Sequence, residues 1–90
     1  MAERVGPLNG VRAVTCSTAQ AGTVPYMMMA DLGAEVIKVE VPGVGDGSRT
    51  AGELRGEISS FFETNNRGVK SVTLDLKSAE GRKILHRLTE

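Results

Sequence analysis

The sequence predicts an α/β fold in which a parallel sheet alternates with helices, in the order β-α-β-loop-β-α. The first observation is that residues 21–40 have the pattern of a turn, a short helix, a glycine and a near-continuous apolar strand. The second is the alternation of apolar and polar side chains over residues 71–76, and the third is the amphipathic segment that closes the chain. Strands joined by a helix are parallel, so residues 21–40 are predicted to form half of a βαβ unit.

Turn and cap residues indicate the first strand and the first helix. Residues 11–17 are short, rich in β-branched side chains and bounded by turns, which predicts strand one. Thr23 is a candidate N-cap, and Pro25 suits the first helical turn, where its missing N–H costs nothing. Gly33 is placed to end this helix as its C′ residue. The apolar face predicted for the helix comprises Met28, Met29 and Leu32.

The middle of the chain combines a buried strand with a long loop. Residues 34–40 predict strand two, and their near-continuous apolar character is typical of a strand covered on both faces. Residues 41–58 contain five glycines and five charged side chains, which predicts a long functional or disordered loop. A short helical turn is predicted at Phe61 and Phe62, followed by a second turn over residues 65–68.

The last third of the chain predicts a strand and a closing helix. Residues 71–76 form strand three, with Val72, Leu74 and Leu76 on one face. Ser78 is the predicted N-cap of the last helix, whose buried stripe would comprise Ile84, Leu85 and Leu88. A three-stranded parallel sheet has two exposed edges, which proteins normally avoid. The sequence therefore predicts an incomplete, N-terminal part of a larger α/β domain.

Composition excludes several function classes. Eleven basic and eleven acidic side chains give no net charge, and the basic residues are dispersed, so neither nucleic acid nor an anionic membrane is an expected partner. Cys16 is the single cysteine, which rules out an intrachain disulfide and a cysteine-based zinc site and favours a reducing compartment. No apolar run approaches the roughly 18–20 residues of a membrane span, and the first residues lack the apolar segment of a signal peptide. We expect a soluble cytoplasmic protein without a metal.

The residues that follow the predicted strands indicate a ligand site at one edge of the sheet. The turn at residues 18–22 has small side chains, and the helix behind it offers free N–H groups to an anion. Lys77 directly follows strand three and would lie at the same edge as Gln20, where its ammonium group could meet a phosphate. The alternatives at these two places are a tight turn without a ligand and a solvated charge at the start of a helix.

Other candidate residues carry weaker signals. Glu40 closes strand two near the position of the ribose-binding acid of nicotinamide-binding folds, but strand one is not followed by G-x-G-x-x-G. Cys16 and His86 have no partner at catalytic or ligand spacing, and the aspartates have no local pairing either, so no catalytic residue is assigned. The aspartates considered are Asp31, Asp46 and Asp75.

Five sequence pieces in a fixed order resemble the N-terminal part of the class III CoA-transferases, the CaiB/BaiF family. They are PLNGVRAV, AG followed at a fixed distance by ADLGAEVIKVE, P-x-x-GD-x-x-R at residues 42–49, two phenylalanines before an Asn-Arg element, and KSVTLDLKSAEGRKIL. The resemblance runs from Pro7 to the end of the chain. The family includes the formyl-CoA and carnitine CoA-transferases and α-methylacyl-CoA racemase.

The resemblance implies a Rossmann-like, CoA-binding domain, of which residues 1–90 would be the N-terminal part. It also implies a longer polypeptide that forms an interlocked homodimer, acyl-CoA and a carboxylic acid as substrates, and CoA as the acyl carrier. The family's transferases use an aspartate that takes the acyl group as a mixed anhydride, a form of covalent catalysis that divides one difficult transfer into easier steps. That aspartate lies beyond the first ninety residues, so this span alone is expected to be inactive.

The family motif can be carried over residue by residue. The positions that contact CoA in formyl-CoA transferase fall on Ala19, Gln20, Ala21, Leu74 and Lys77. Two departures affect this edge, because Thr23 stands where the family usually has proline and Val41 stands where formyl-CoA transferase has a basic residue that contacts CoA. A third departure is the turn at residues 66–71, which differs from the family's usual N-R-N-K-R-S.

Two alternative functions remain open at the level of sequence. The first is an acyl-CoA racemase of the same fold, which moves a proton at the α-carbon and transfers no CoA. The second is a truncated, non-catalytic chain that only binds a complementing partner chain. The missing strand and the exposed sheet edges are the features that favour the second alternative.

Overall fold

Three parallel strands confirm the predicted α/β class. A computed structural model describes residues 6–18, 21–50, 54–55 and 58–90. In chain order the elements are β1 (Arg12–Thr15), α1 (Val24–Asp31), β2 (Glu35–Glu40), a 3-10 turn (Gly47–Thr50), β3 (Leu54–Arg55), β4 (Ile58–Ser59), α2 (Ser60–Asn65), β5 (Lys70–Thr73) and α3 (Ala79–Leu88). The main sheet has the order β1-β2-β5, and β3 pairs with β4 in a separate antiparallel hairpin.

Strand β2 is the centre of the main sheet. It pairs with β1 from Arg12↔Glu35 to Thr15↔Lys38 and with β5 from Ile37↔Lys70 to Glu40↔Thr73, in parallel on both sides. This central position explains the apolar pattern predicted for residues 34–40, because Val36 is fully buried and Val39 is 5 % exposed.

Both outer strands are shorter than predicted, and a side-chain hydrogen bond marks the end of each. The hydroxyl of Thr15 accepts the backbone N–H of Ser17 at 3.0 Å, which turns the chain away from β2. After β5, the carboxylate of Asp75 accepts the backbone N–H of Lys77 at 3.0 Å, which starts the turn into α3. The predicted inward face of residues 71–76 is therefore right for Leu74, which is 9 % exposed, and wrong for Leu76, which is 36 % exposed.

Helix α1 packs on the sheet through a different face from the predicted one. The core consists of Ala30, Ala34 and Val36, with Tyr26 and Met29 packed against it. Residues 26, 29 and 30 share one helical face, whereas Met28 is 56 % exposed and Leu32 is 46 % exposed. The sequence of α1 is apolar almost all round, so its periodicity does not select the buried side; the contact with β2 does.

The predicted caps are mostly confirmed. The hydroxyl of Ser78 accepts the backbone N–H of Gly81 at 3.0 Å at the start of α3, and Gly33 ends α1 with a φ of 106°. Thr23 occupies the N-cap position of α1, but its side chain makes no cap hydrogen bond. Backbone N–H groups of the first turn bond to the Thr23 carbonyl oxygen instead.

Two further predictions need correction. Residues 41–58 are not a structureless loop, because their described part contains the 3-10 turn, β3 and the first residue of β4. The predicted stripe of α3 is not buried: Ile84 is 47 % exposed, and Leu85 and Leu88 are half-buried. The physical reason is that no strand or helix of the described residues packs extensively along α3, whose buried residue is Gly81 in the first turn.

Candidate functional site

A cleft lies at the carboxyl edge of the parallel sheet, where α/β folds bind ligands. Its wall comprises Cys16 and Thr18 after β1, Val39 and Glu40 at the end of β2, Val41, Pro42, Gly45 and Asp46 after β2, and residues 74–77 after β5. The volume is about 200 Å³. Pockets that enclose a whole small molecule measure roughly 300–1,000 Å³, so the cleft has room for part of a ligand.

The structure brings two of the five predicted site residues into this cleft. Leu74 and Lys77 both line it, together with Thr18, which precedes the predicted pair at positions 19 and 20. Ala19 and Gln20 lie outside the described residues. Ala21 is exposed and is not among the residues that line the cleft. The contact of these side chains with CoA remains a prediction.

Lys77 supplies the positive charge of the cleft. It is the only lysine or arginine among the described residues that line it. Its ammonium group is exposed, and the Asx turn of Asp75 fixes its backbone at the end of β5. The rest of the lining is mainly apolar, with Val39, Pro42 and Leu74 as examples. The described lining also contains three carboxylates, of which Glu40 and Asp46 are paired with cations outside the lining and Asp75 accepts the Lys77 N–H. The arrangement therefore suits a ligand that joins a flat or apolar group to an anion held by Lys77.

A buried ion pair behind the cleft was missed at the level of sequence. The ammonium group of Lys38 is 1 % exposed and pairs with the fully buried carboxylate of Asp46. It also donates to the side-chain oxygen of Asn66 at 2.7 Å and lies 5.2 Å from the centre of the Phe62 ring. The other oxygen of Asp46 accepts the backbone N–H and the hydroxyl of Ser48, each at 2.9 Å. The signal in the sequence was a lysine among the apolar residues Val36, Ile37 and Val39 of a central strand.

A second ion pair lies beside the first one. Arg49 binds both carboxylate oxygens of Glu40, with Nε at 2.8 Å and Nη2 at 2.7 Å. The backbone N–H of Asp46 donates to Glu40 at 2.8 Å, and the hydroxyl of Ser71 donates to the second oxygen. Glu40 thus has no free role as a ribose-binding acid, which agrees with the missing glycine fingerprint. The P-x-x-GD-x-x-R motif at residues 42–49 thus supplies Asp46 and Arg49, one partner of each ion pair.

Gly45 in this motif allows the close approach of Arg49 to Glu40. Its φ is +68°, a left-handed conformation that side chains disfavour. A Cβ at this position would lie 2.6 Å from the Oε1 atom of Glu40 and 3.1 Å from the Nε atom of Arg49. The glycine therefore leaves the space in which the guanidinium group and the carboxylate meet.

Acidification is expected to weaken this network. Hydrogen bonding to Arg49 above all holds the pKa of Glu40 at about 2, against an ordinary value of 4.5. Because the pKa is lower in the folded state, the stabilisation is present above about pH 4.5 and is lost as the pH falls toward 2. Replacing Glu40 with glutamine should flatten the fall in melting temperature across this window, as measured by thermal unfolding at successive pH values.

The expected flattening is partial because a second carboxylate titrates in the same window. Glu35 bridges Lys70 and Arg12 at 2.7 Å each, and these contacts hold its pKa at about 2 as well. A Glu90→Gln variant, which changes an exposed residue at the end of the chain, is the matched control. An unchanged slope for Glu40→Gln relative to this control would contradict the prediction.

The described residues show neither a metal site nor a membrane span. No group of three or more histidine, cysteine, aspartate or glutamate side chains within them could hold a metal ion. In the same part of the chain, none of the helices has both the length and the apolar character needed to cross a bilayer.

Comparisons with known proteins agree on one family. Residues 8–90 match the family described as CoA-transferase family III. Human succinyl-CoA:glutarate CoA-transferase is 41 % identical over 85 residues, which cover 93 % of this chain and 19 % of the relative. Formyl-CoA:oxalate CoA-transferase of Rhodopseudomonas palustris is 41 % identical over 81 residues, or 87 % of this chain and 18 % of that one.

A solved structure shows the same fold. The crystal structure of a CAIB/BAIF family protein from Brucella suis matches with a TM-score of 0.83 and 40 % identity, over 92 % of this chain and 23 % of that protein. The chain therefore spans about a fifth of the length of the relatives that it matches.

Proposed function

The chain belongs to CoA-transferase family III, and we propose that its cleft binds CoA in an enzyme that moves CoA between carboxylic acids. The observation that carries the proposal is the position of Lys77 and Leu74, which meet in one cleft at the carboxyl edge of the sheet. CoA joins an adenine ring to phosphate groups, so an apolar lining with a cation at its end matches its chemistry. The relatives' names support carboxylic acids as the partners of the exchange.

Under this proposal the described residues bind and orient CoA and perform no covalent step. Each aspartate considered above has a structural contact: Asp31 pairs with Arg67, Asp46 pairs with Lys38, and Asp75 closes the turn before α3. The nucleophilic aspartate of the transfer is accordingly proposed to lie outside these ninety residues. An interlocked homodimer, or a complementing chain, would then supply the rest of the active site.

Replacing Lys77 with alanine is expected to weaken CoA binding. An exposed ammonium–phosphate contact contributes about 1–2 kcal/mol, so the dissociation constant for CoA should rise roughly 5- to 30-fold. Isothermal titration of the longest native polypeptide that contains this chain measures the change. Lys83→Ala is the matched control, because Lys83 is exposed on α3 and does not line the cleft.

Two outcomes would count against the proposal. A folded wild-type protein that takes up no CoA would overturn the function as a whole. Equal losses for Lys77→Ala and Lys83→Ala would place the CoA phosphates away from this cleft. A parallel assay with an acyl-CoA donor and a carboxylate acceptor separates transfer from racemisation, because only transfer yields a new CoA thioester.

A further inference from the structure

We propose that Arg49 is a positioning residue, which fixes the wall of the cleft at residues 41–46 without contacting the ligand. Arg49 does not line the cleft, whereas Glu40, which it binds through two hydrogen bonds, does. Its side chain is 40 % exposed and lines a more open pocket on the other side of Glu40, next to Ser71 and Thr73. The consequence for CoA affinity rests on the proposed function. The positioning itself is a property of the fold and can be tested without CoA.

The contacts of Arg49 are built for holding rather than for binding a ligand. Its Nε and Nη2 atoms engage both oxygens of a carboxylate that is 4 % exposed, in the planar geometry that makes arginine–carboxylate pairs specific. The guanidinium carbon lies 3.9 Å from the centre of the Phe62 ring. Arg49 is therefore fixed from two sides, by β2 and by α2.

The buried pair of Lys38 and Asp46 fixes the end of the wall at residue 46. Lys38 and Glu40 lie two residues apart on β2 and so project from the same face of the strand. On β2 a cation precedes an anion, whereas in the following segment the anion Asp46 precedes the cation Arg49. Lys38 therefore pairs with Asp46, and Glu40 pairs with Arg49. Exchanging the partners would place Lys38 against Arg49 and Glu40 against Asp46, two repulsive contacts. The order of the charges thus favours one alignment of residues 46–49 along β2.

The helix that carries Phe62 is tied to the same segment. The hydroxyl of Ser59, the N-cap of α2, donates to the Ser48 carbonyl oxygen at 2.9 Å and accepts the backbone N–H of Phe62 at 3.2 Å. The side-chain amide of Asn66 donates to the Phe62 carbonyl oxygen at 2.9 Å and accepts from Lys38. Loss of Arg49 would leave the buried pair and the Asp46 N–H bond to Glu40 in place but remove the two hydrogen bonds that fix the Glu40 carboxylate, the acceptor on which the wall rests.

Arg49→Met tests the proposal against a matched control. Arg67 makes the same kind of two-point contact, with Nε at 3.2 Å and Nη2 at 2.6 Å from the oxygens of Asp31, but this pair is exposed and does not line the cleft. The comparison of Arg49→Met with Arg67→Met therefore separates the loss of any arginine pair from the loss of this one. Arg49→Lys serves as the conservative variant, which keeps the charge but not the fork of donors.

Two measurements are made on each variant, at a temperature well below its melting temperature. Hydrogen exchange of the amides in residues 41–46 should become faster in Arg49→Met and stay unchanged in Arg67→Met. The dissociation constant for CoA should rise about 3- to 30-fold in Arg49→Met, with a smaller rise in Arg49→Lys and less than a twofold change in Arg67→Met.

The outcomes distinguish this inference from the proposed function. A lower melting temperature for Arg49→Met, with unchanged exchange at residues 41–46 and unchanged CoA affinity, would overturn the positioning role. If the wild-type protein binds no CoA, the proposed function fails, and the exchange rates alone decide the inference. Faster exchange confined to the Arg49 variants would still support it, and equal exchange in both arginine variants would overturn it.

Discussion

Replacing Asp46 with alanine is expected to destabilise the fold by about 3–5 kcal/mol, the cost of removing one partner of a fully buried ion pair. The ammonium group of Lys38, which is 1 % exposed in the wild type, would lose its anionic partner and keep the Asn66 oxygen at 2.7 Å and the Phe62 ring as contacts among the described residues. Ser48 would also lose the acceptor of its backbone N–H and its hydroxyl. Denaturant unfolding of wild type and variant measures the difference in the free energy of unfolding.

A paired substitution identifies the cause of this loss. Combining Asp46→Asn with Lys38→Met removes both charges while keeping an acceptor for Ser48 and an apolar stem of similar length. We expect this double variant to be more stable than Asp46→Ala, because no charge is left buried without a partner. A double variant that is less stable than Asp46→Ala would contradict the buried-charge explanation and would assign the loss to packing.

The sequence predicted the parts of the site that depend on local signals. Lys77 directly follows the strand that the alternation of residues 71–76 predicts, and the rule that ligands bind at carboxyl strand ends places it at one edge of the sheet. Leu74 was predicted as a site residue through the family resemblance. In the structure both side chains line the cleft at this edge, and their contact with CoA stays a prediction. The same alternation failed at Leu76, because β2 pairs with β5 only as far as Thr73 and Asp75 then starts a turn.

The ion pairs behind the cleft were beyond local signals. Lys38 and Asp46 are eight residues apart, and Glu40 and Arg49 are nine apart, with a reversal of the chain between them. Neither helical nor strand periodicity relates residues across such a turn, so their partners depend on how the segment folds back. The lysine inside a buried strand was nevertheless a usable sign, since a charge in that position requires a partner.

The alternation of charge on β2 explains how residues 41–50, which follow it, are held against the sheet. With five glycines and five charged residues, residues 41–58 have the composition of a mobile loop. Its described part is held against the sheet by the Lys38–Asp46 and Glu40–Arg49 ion pairs and by the Ser59 hydroxyl, and the left-handed backbone of Gly45 makes room for the second pair. The glycines and charged residues that predicted a functional or disordered loop therefore include the residues that hold this segment in place.

Replacing Gly81 with alanine is the second large effect that we expect, with a loss of about 1–3 kcal/mol from overpacking. Gly81 lies in the first turn of α3, where its N–H donates to the Ser78 hydroxyl at 3.0 Å. A Cβ there would overlap the carbonyl group of Asp75, which belongs to the backbone and cannot rotate away as a side chain could. The turn at residues 75–78 would have to move, and it carries Lys77. We therefore expect weaker CoA binding as well as lower stability.

Gly47→Ala is the matched control for this substitution. A Cβ at Gly47 would meet no atom of the described residues within 4 Å. Alanine there reduces the freedom of the unfolded chain and is expected to leave stability unchanged or to raise it by about 0.4–1 kcal/mol. Thermal and denaturant unfolding of both variants, with CoA titration of each, give the comparison. Equal stability of the two alanine variants would show that the first turn of α3 does not pack against the Asp75 carbonyl group. It would also contradict the position of Lys77 in the cleft.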